Sequence, residues 1–224
     1  MAWTIEVAKA SRILSRIILS TDSEEIAEIG TASGAEVPFL RPRELALDTT
    51  PTAAVVGHAV TWLRDHDGAL PQFVVVLEPT SPTRRAFHIR EAVTLLQQSH
   101  ADSVASVSVL PHHYVPSKVL TLHPDHTITG VDGTPVASMV HRRQDLPVSY
   151  AFDGLLFACR TAVVLANPPT LFGDTVMGYV VDPRYRTDLD DESDWEVAEA
   201  RLRRLLAEEG GKSPAVLTPA GGAP

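Results

Sequence analysis

Two aspartates near the carboxyl end of the chain are spaced for metal chemistry. Asp188 and Asp190 alternate within the acidic run Asp-Leu-Asp-Asp-Glu-Ser-Asp, residues 188–194. Side chains two residues apart on an extended segment project to one side, which suits a hard divalent cation such as Mg²⁺. Such a cation neutralises charge on a departing phosphate group. Carboxylates also cap helix amino termini, so we assign residues 191–194 to capping and the aspartate pair to the metal.

Composition excludes several classes of protein. The chain has 224 residues, 44% of them hydrophobic, which is enough for one good core. A net charge of −9 argues against a nucleic-acid binder, because phosphate backbones require a basic surface. No apolar stretch approaches the roughly 20 residues of a membrane span, and the amino terminus does not resemble a signal peptide. We therefore expect a cytoplasmic protein that contacts neither nucleic acid nor membrane.

Strands and helices alternate along most of the chain. The apolar spacing predicts helices at 2–14, 23–33, 52–65, 83–98, 161–166 and 192–208, the last with Ser193 and Glu196 as a capping box. It predicts extended segments at 17–19, 35–40, 73–77, 103–110, 155–158 and 178–181, with 73–77 buried on both faces. This order is typical of an α/β fold with a doubly wound, mainly parallel sheet. Ligands of such sheets bind beyond the carboxyl ends of the strands, so the loops 20–23, 78–85 and 188–194 are expected to form the site.

Two segments break this alternation. Residues 111–150 are rich in proline and polar side chains, and they predict an arm outside the sheet. Residues 210–224 form a Gly/Pro/Ala tail that we expect to be disordered. The resulting organisation is one domain over 1–209, which includes the arm, followed by the tail.

Six segments, taken together and in order, resemble the CMP-sialic acid synthetases (acylneuraminate cytidylyltransferases). They are residues 18–26, 34–42, 48–52, 77–82, 143–147 and 188–190, and the resemblance covers about residues 2–208. It implies a Rossmann-like nucleotidyltransferase with a protruding dimerisation arm, and a homodimer. It also implies a reaction in which CTP and a sialic-acid-like 2-keto sugar acid give a CMP-sugar and pyrophosphate, with Mg²⁺ on Asp188 and Asp190.

The resemblance assigns binding roles to residues outside the acidic run. The nucleotide is expected at Arg41, Thr52 and Asp22, since a guanidinium or a hydroxyl can donate to the cytosine carbonyl. A surface arginine, a helix-start threonine and a turn-forming aspartate remain the alternatives for these three. The sugar acid is expected at Glu78, Thr80, Ser81, Arg84, Lys118, Arg143, Gln144, Tyr150 and Asp153. For Arg84 we expect anion binding, with a solvated arginine as the alternative.

Three positions depart from the family pattern. Glu78 replaces the usual Gln, which exchanges a donor-and-acceptor for a group that only accepts when ionised. Ala151 stands where the family has a basic residue, and Asp153 stands where it has Asn. Loss of a cation beside the substrate carboxylate makes a pseudaminic- or legionaminic-type nonulosonic acid as plausible a substrate as sialic acid.

The family's amino-terminal Gly-rich loop, which grips the triphosphate through backbone N–H groups and cationic side chains, has no counterpart in this sequence. Without the strand that precedes this loop, backbone groups in the middle of the sheet should lack partners. The alternative to an active enzyme is therefore a catalytically inactive or truncated family member that serves as a binding or scaffold subunit.

Overall fold

A computed structural model describes residues 1–68, 70–139 and 142–210 of the protein. The helices of this part are α1 (Ala2–Ser11), α2 (Glu24–Ser33), α3 (Thr52–Asp67), α4 (Ala86–Gln98), α5 (Thr161–Val164) and α6 (Glu192–Glu208). The strands are β1 (Phe73–Val76), β2 (Ser103–Val109), β3 (Leu120–Leu122), β4 (Ile128–Gly130), β5 (Tyr150–Arg160) and β6 (Val176–Val180). None of these helices is long and apolar enough to cross a membrane.

A four-stranded sheet forms the centre of the molecule. Its strand order is β1-β5-β2-β6. β2 and β6 pair in parallel, whereas β5 runs antiparallel to both β1 and β2, so β1, β2 and β6 share one direction. The predicted α/β fold with a mainly parallel sheet is confirmed, and the single reversed strand makes the sheet mixed.

Helices cover both faces of this sheet. On one face, Ala92 and Leu96 of α4 pack against Val104, Leu156 and Ala158 in a fully buried cluster. On the other face, Val60 of α3 and Val163 and Val164 of α5 pack against Cys159 of β5 and Val74 of β1. Because successive side chains of a strand alternate between faces, β5 supplies residues to both layers. Cys159 is a free cysteine and is buried in this layer.

Local predictions around the first part of the sheet need correction. Residues 17–19 form no strand of their own but a single parallel bridge, Ile18 to Glu36. β1 lies at the edge of the described sheet and is only half-buried, because it has one strand partner and not two. Helix α1 ends at Ser11 and not at residue 14, since Arg12 adopts the left-handed conformation.

The arm and the tail differ in what the structure describes. Within 111–150, β3 and β4 form a separate two-stranded antiparallel hairpin, and short 3₁₀ turns occupy Pro116–Lys118, Val136–Ser138 and Arg143–Asp145. Residues 211–224 of the predicted tail lie outside the described part of the chain.

The strand β5 extends well beyond the predicted 155–158, because its pairing with β2 continues to Tyr150.

His88 is a fully buried histidine at the start of α4. Its Nδ1 accepts a hydrogen bond from the backbone N–H of Arg85 at 3.0 Å, and its ring packs against Phe87 and Tyr185 with centroids 4.1 and 4.7 Å away. Burial, with the nearby positive charges of Arg85 and Arg84, lowers the pKa of His88 from 6.5 to about 3. The side chain is therefore neutral in the folded protein.

This buried neutral histidine predicts acid-sensitive stability. Below pH 6.5 the unfolded chain takes up a proton at His88 and the folded chain does not. The free energy of unfolding should therefore decrease as the pH is lowered from 6.5 to about 3. The expected slope from this group is about 1.4 kcal/mol per pH unit between 6.5 and about 3. Urea unfolding of the wild type and of His88→Gln across this range measures it. Equal slopes in the two proteins would refute the assignment, and His113→Gln, at an exposed site, is the matched control.

Candidate functional site

An irregularity in the pairing of β5 with β2 organises the site. Phe157 pairs with Ala105 and Phe152 pairs with Val107, so residues 153–156 stand opposite the single residue Ser106. The Ser106 hydroxyl accepts a hydrogen bond from the Leu156 N–H at 2.9 Å and fills the gap in the ladder. Such a bulge displaces the extra residues from the sheet and re-aims them. We call residues 153–155 the β5 bulge.

The loop that follows β1 is hydrogen-bonded to this bulge. The Ser81 hydroxyl donates to the Gly154 carbonyl at 3.2 Å. Nε of Arg84 donates to the Leu155 carbonyl at 2.5 Å, and its Nη2 donates to the Glu78 carbonyl at 2.6 Å. These bonds fix the loop 78–84 against the β5 bulge.

The acidic segment lies against the same loop. The Leu189 N–H donates to the Thr80 carbonyl at 3.1 Å, and the Thr83 hydroxyl donates to the Tyr185 carbonyl and also pairs with the Thr187 hydroxyl. Two segments that are about a hundred residues apart in sequence are thus held side by side. Their junction places Asp188 beside the β5 bulge.

Gly154 provides the space that Asp188 occupies. Its φ is +68°, a left-handed conformation that residues with a side chain rarely adopt, and a Cβ at this position would lie 3.3 Å from Oδ2 of Asp188. Gly154 is not among the site residues predicted from the sequence. The available signal was a glycine inside an otherwise apolar strand pattern, which often marks a bulge or a close approach.

Asp188 and Asp190 form an exposed carboxylate pair. The negative charge of Asp188 is the main reason that the pKa of Asp190 is raised, followed by desolvation. Within the described residues, neither carboxylate has a hydrogen-bond or ion-pair partner. Two close carboxylates without an ion-pair partner among the described residues are chemically suited to a hard divalent cation.

The remaining acidic residues cap α6. Asp191 accepts hydrogen bonds from the N–H groups of Ser193 and Asp194, and the Asp194 carboxylate accepts from the N–H groups of Asp190 and Asp191. The division between capping and free carboxylates agrees with the sequence prediction. The predicted Ser193–Glu196 capping box is wrong, because the N-cap is Asp191, two residues before Ser193, and Asp191 with Asp194 form the box.

The described residues contain no cluster of three or more His, Cys, Asp or Glu side chains that could hold a metal alone. A cation at Asp188 and Asp190 would need further oxygen ligands from water or from a bound molecule. Mg²⁺ commonly binds in this manner, with one or two carboxylates and several outside ligands.

Asp153 belongs to the same site but faces inward. Its carboxylate is buried, accepts a hydrogen bond from the Ser108 hydroxyl at 2.7 Å and accepts another from the Leu155 N–H at 3.1 Å. Both partners are on strands of the central sheet. Asp153 therefore shapes the β5 bulge, and its predicted contact with a substrate stays a prediction.

The residues predicted to bind a nucleotide form two contacts, one of which reaches the loop 78–84. The Thr52 hydroxyl, at the first position of α3, donates to Oε1 of Glu78 at 3.4 Å. This contact joins the predicted nucleotide region to the loop 78–84. Arg41 forms an ion pair with Asp22 at 3.3 Å, and its Nε is buried without a hydrogen-bond partner in the described part of the chain.

Other predicted site residues lie in the arm or at its border. Lys118 ends the turn Pro116–Lys118, Arg143 and Gln144 begin the turn Arg143–Asp145, and Tyr150 begins β5. No described hydrogen bond or ion pair links Lys118, Gln144 or Tyr150 to the carboxylate pair. Their predicted role in substrate binding remains untested by these contacts.

The space beside Gly154 yields a testable prediction. Gly154→Ala should lower the free energy of unfolding by about 1–2 kcal/mol through backbone strain, and its methyl group should displace Asp188 and weaken Mn²⁺ binding. Gly133→Ala is the matched control: φ is +82° there and an added Cβ meets nothing within 4 Å. We expect the control to lose similar stability and to keep Mn²⁺ affinity. Electron paramagnetic resonance of free Mn²⁺ measures the affinity, and equal affinities in both variants would contradict the prediction.

Comparison with known proteins places this geometry in context. The sequence model of the family described as cytidylyltransferase matches residues 1–132. An N-acylneuraminate cytidylyltransferase of Escherichia coli O18:K1:H7 is 29% identical over 198 residues, which cover 88% of this chain and 44% of that protein. A CMP-N,N'-diacetyllegionaminic acid synthase of Legionella pneumophila is 37% identical over 108 residues, 48% of this chain and 46% of that protein. The chain thus matches less than half the length of each of these relatives.

A solved structure shows the same fold. A CMP:2-keto-3-deoxy-manno-octonic acid synthetase, determined in complex with CTP, superposes with a TM-score of 0.58. The alignment covers 92% of this chain and 88% of the other at 10% sequence identity. At this identity the likeness supports the fold alone.

Proposed function

Because the chain belongs to the cytidylyltransferase family, we propose that it transfers a cytidylyl group from CTP to a sialic-acid-like 2-keto sugar acid. The observation that carries the proposal is the position of the Asp188 and Asp190 carboxylates beside the β5 bulge and the loop 78–84. Neither carboxylate has an ion-pair partner among the described residues. Such a pair is suited to a cation that accompanies a triphosphate.

The reaction forms one bond and breaks one bond. The oxygen of the sugar's anomeric hydroxyl attacks the α-phosphorus of CTP, and the bond from that phosphorus to the bridging oxygen of the β-phosphate breaks. The products are CMP-sugar and pyrophosphate, and the hydroxyl proton leaves to solvent or to a phosphate oxygen. A Mg²⁺ ion held by Asp188 and Asp190 would offset the negative charge that develops on the departing pyrophosphate.

The protein's own residues supply binding and orientation. Arg41, with Asp22, and Thr52 would hold the cytosine base through donors to its carbonyl. Thr80 and Ser81, on the loop 78–84, would face the sugar acid. Positioning of two reactants and stabilisation of charge are the main sources of rate enhancement in phosphoryl-type transfer.

The acceptor is proposed to be a nonulosonic acid, and the site narrows its chemistry. Glu78 presents an acceptor-only carboxylate beside Thr52, and Ala151 supplies no cation. A substrate that donates hydrogen bonds to Glu78 from amide N–H or hydroxyl groups fits this arrangement. A substrate whose own carboxylate needs a cation at position 151 fits it less well. The match to a CMP-N,N'-diacetyllegionaminic acid synthase supports a legionaminic-type acid as well as sialic acid.

Lys118, Arg143, Gln144 and Tyr150 would complete the sugar pocket from the arm. The hairpin of β3 and β4 exposes Leu120, Leu122 and Ile128, and a two-stranded hairpin is marginally stable alone. A second apolar surface lies on the central sheet, where Phe152, Phe157 and Phe172 cluster with centroids 5.5–6.1 Å apart. Both surfaces would be covered in a homodimer, so we propose that the enzyme is dimeric.

The metal assignment is tested by a pair of aspartate variants. Asp190→Ala should abolish Mg²⁺-dependent formation of CMP-sugar, because the cation loses one of its two protein ligands. Asp191→Ala removes only a helix cap, so it should cost about 1 kcal/mol of stability and keep turnover. The measurement is pyrophosphate release from CTP with a panel of nonulosonic acids, and with ATP and GTP as controls.

Two outcomes would count against the proposed function. Full turnover by Asp190→Ala would remove the metal assignment. A wild-type chain that is folded and binds CTP but forms no product with any sugar acid would favour the non-catalytic binding subunit.

The dimer is tested on its apolar surface. Phe152→Asp places a charge on the exposed aromatic cluster and should convert the protein to a monomer in sedimentation equilibrium. Trp195→Asp is the matched control, since Trp195 is 62% exposed and Phe152 61% exposed, but Trp195 lies on α6. Dissociation by both variants, or by neither, would argue against this surface as the dimer contact.

A further inference from the structure

Two consecutive arginines, Arg84 and Arg85, are completely buried at the start of α4. A buried charge is costly unless it is paired and hydrogen-bonded, so each side chain needs an explanation. The two side chains run to different parts of the molecule, and their partners differ.

Arg85 has the partners of a structural anchor. Its Nε and Nη2 contact the Glu209 carboxylate at 3.1–3.3 Å, and its Nη1 donates to the Thr83 and Arg84 carbonyls. This ion pair attaches the end of α6 to the start of α4. Among the described residues, the hydrogen bonds and the ion pair of the Arg85 side chain reach neither the β5 bulge nor the carboxylate pair.

Arg84 has no carboxylate partner at ion-pair distance among the described residues. It donates to two backbone carbonyls, those of Leu155 in the β5 bulge and of Glu78 at the start of the loop that follows β1. Its Nη1 is buried and finds no hydrogen-bond partner among residues 1–68, 70–139 and 142–210. Burial lowers the pKa of Arg84 to about 10, which the charges of Glu78, Asp153 and Asp188 oppose.

The two carbonyls belong to the two segments on which the cation site depends. Leu155 follows Gly154, whose missing side chain leaves room for Asp188, and Glu78 begins the loop whose Thr80 carbonyl holds Leu189. A rigid guanidinium donates to both carbonyls at once, which a lysine ammonium cannot reproduce with the same geometry. The distance between the segments is thereby set.

We propose that Arg84 is a positioning residue for the divalent cation: its guanidinium fixes the β5 bulge against the loop 78–84, and so fixes Asp188. The inference rests on the proposed function in one respect, namely that the cation accompanies CTP. It does not require Arg84 to touch the substrate, and the predicted anion contact of Arg84 is replaced by this indirect role. Residues that orient metal ligands without touching the metal are important for metal affinity, and their mutation typically lowers it by about 10- to 100-fold.

The geometric role and a purely electrostatic role predict opposite results. Removing a positive charge near Asp188 would by itself strengthen cation binding, whereas losing the bulge geometry would weaken it. Arg84→Lys keeps the charge and loses the fork, and Arg84→Met loses both. The structure therefore predicts weaker Mn²⁺ binding in both variants, by about 10- to 100-fold.

The experiment measures Mn²⁺ affinity by electron paramagnetic resonance, and folding by urea unfolding, in the full chain. Arg85→Lys is the matched control: it should lose stability and retain Mn²⁺ affinity. Adding guanidinium ion to Arg84→Ala should recover part of the lost affinity, and adding ammonium should not. Should Arg84→Met fail to fold, Arg84→Lys, which keeps a donor for one carbonyl, carries the test.

The outcomes separate this inference from the proposed function. Unchanged or tighter Mn²⁺ binding in folded Arg84→Lys would overturn the inference and leave the metal assignment intact. An equal loss of affinity in Arg85→Lys would also overturn it, because the effect would then follow stability alone. A folded wild-type chain that binds no Mn²⁺ would overturn both the inference and the metal role of Asp188 and Asp190.

Discussion

The unequal pairing of β5 and β2 is the constraint on which the site depends. Four residues of β5 opposite one residue of β2 cannot remain in the ladder, so residues 153–155 leave the plane of the sheet. Once displaced, their carbonyls need donors, and Ser81 and Arg84 supply them. Because those donors belong to the loop after β1, the hydrogen-bond requirement of the bulge also positions that loop. The acidic segment then attaches to the loop through Thr80 and Thr83.

Buried charge is distributed unevenly around this centre. Arg85 is neutralised by Glu209 and stabilises the contact of α4 with α6, while His88 beside it is kept neutral. Arg84 is satisfied by carbonyls and faces several carboxylates at longer range. Among the described residues, the exposed Asp188 and Asp190 have no ion-pair partner. Around the β5 bulge, positive charge is thus buried and the two carboxylates face solvent, an arrangement suited to a divalent cation.

The incomplete burial of the sheet has a separate consequence. β1 is an edge strand with half-buried side chains, and the aromatic cluster around Phe152 is exposed on the other half of the sheet. A sheet face of this kind is stable when another surface covers it. The hairpin of β3 and β4 has the complementary property, since it exposes apolar side chains but has no core of its own. These features favour assembly between copies of the chain.

Local sequence signals determined the elements and one feature of the site. Helical periodicity predicted α3 and α6 closely, and the alternation of strands with helices predicted an α/β sheet, because burial of an apolar face requires these patterns. The acidic run predicted that Asp188 and Asp190 bind a cation, and the structure shows both carboxylates exposed and without a hydrogen-bond or ion-pair partner among the described residues. The sequence predicted that side chains of this run cap α6 but not which residue is the N-cap. Asp191 and Ser193 are both good caps, and only the actual start of α6 distinguishes them.

The contacts between distant segments could not be predicted from the sequence. The reversed direction of β5, the bulge at Gly154 and the burial of Arg84 all follow from pairing with β2 and from packing against residues 185–189. Arginine before a helix is usually solvated, so nothing in its sequence surroundings predicts complete burial. The physical reason is that local propensity concerns neighbours within a few residues, whereas hydrogen-bond satisfaction in a buried bulge is a property of the whole fold.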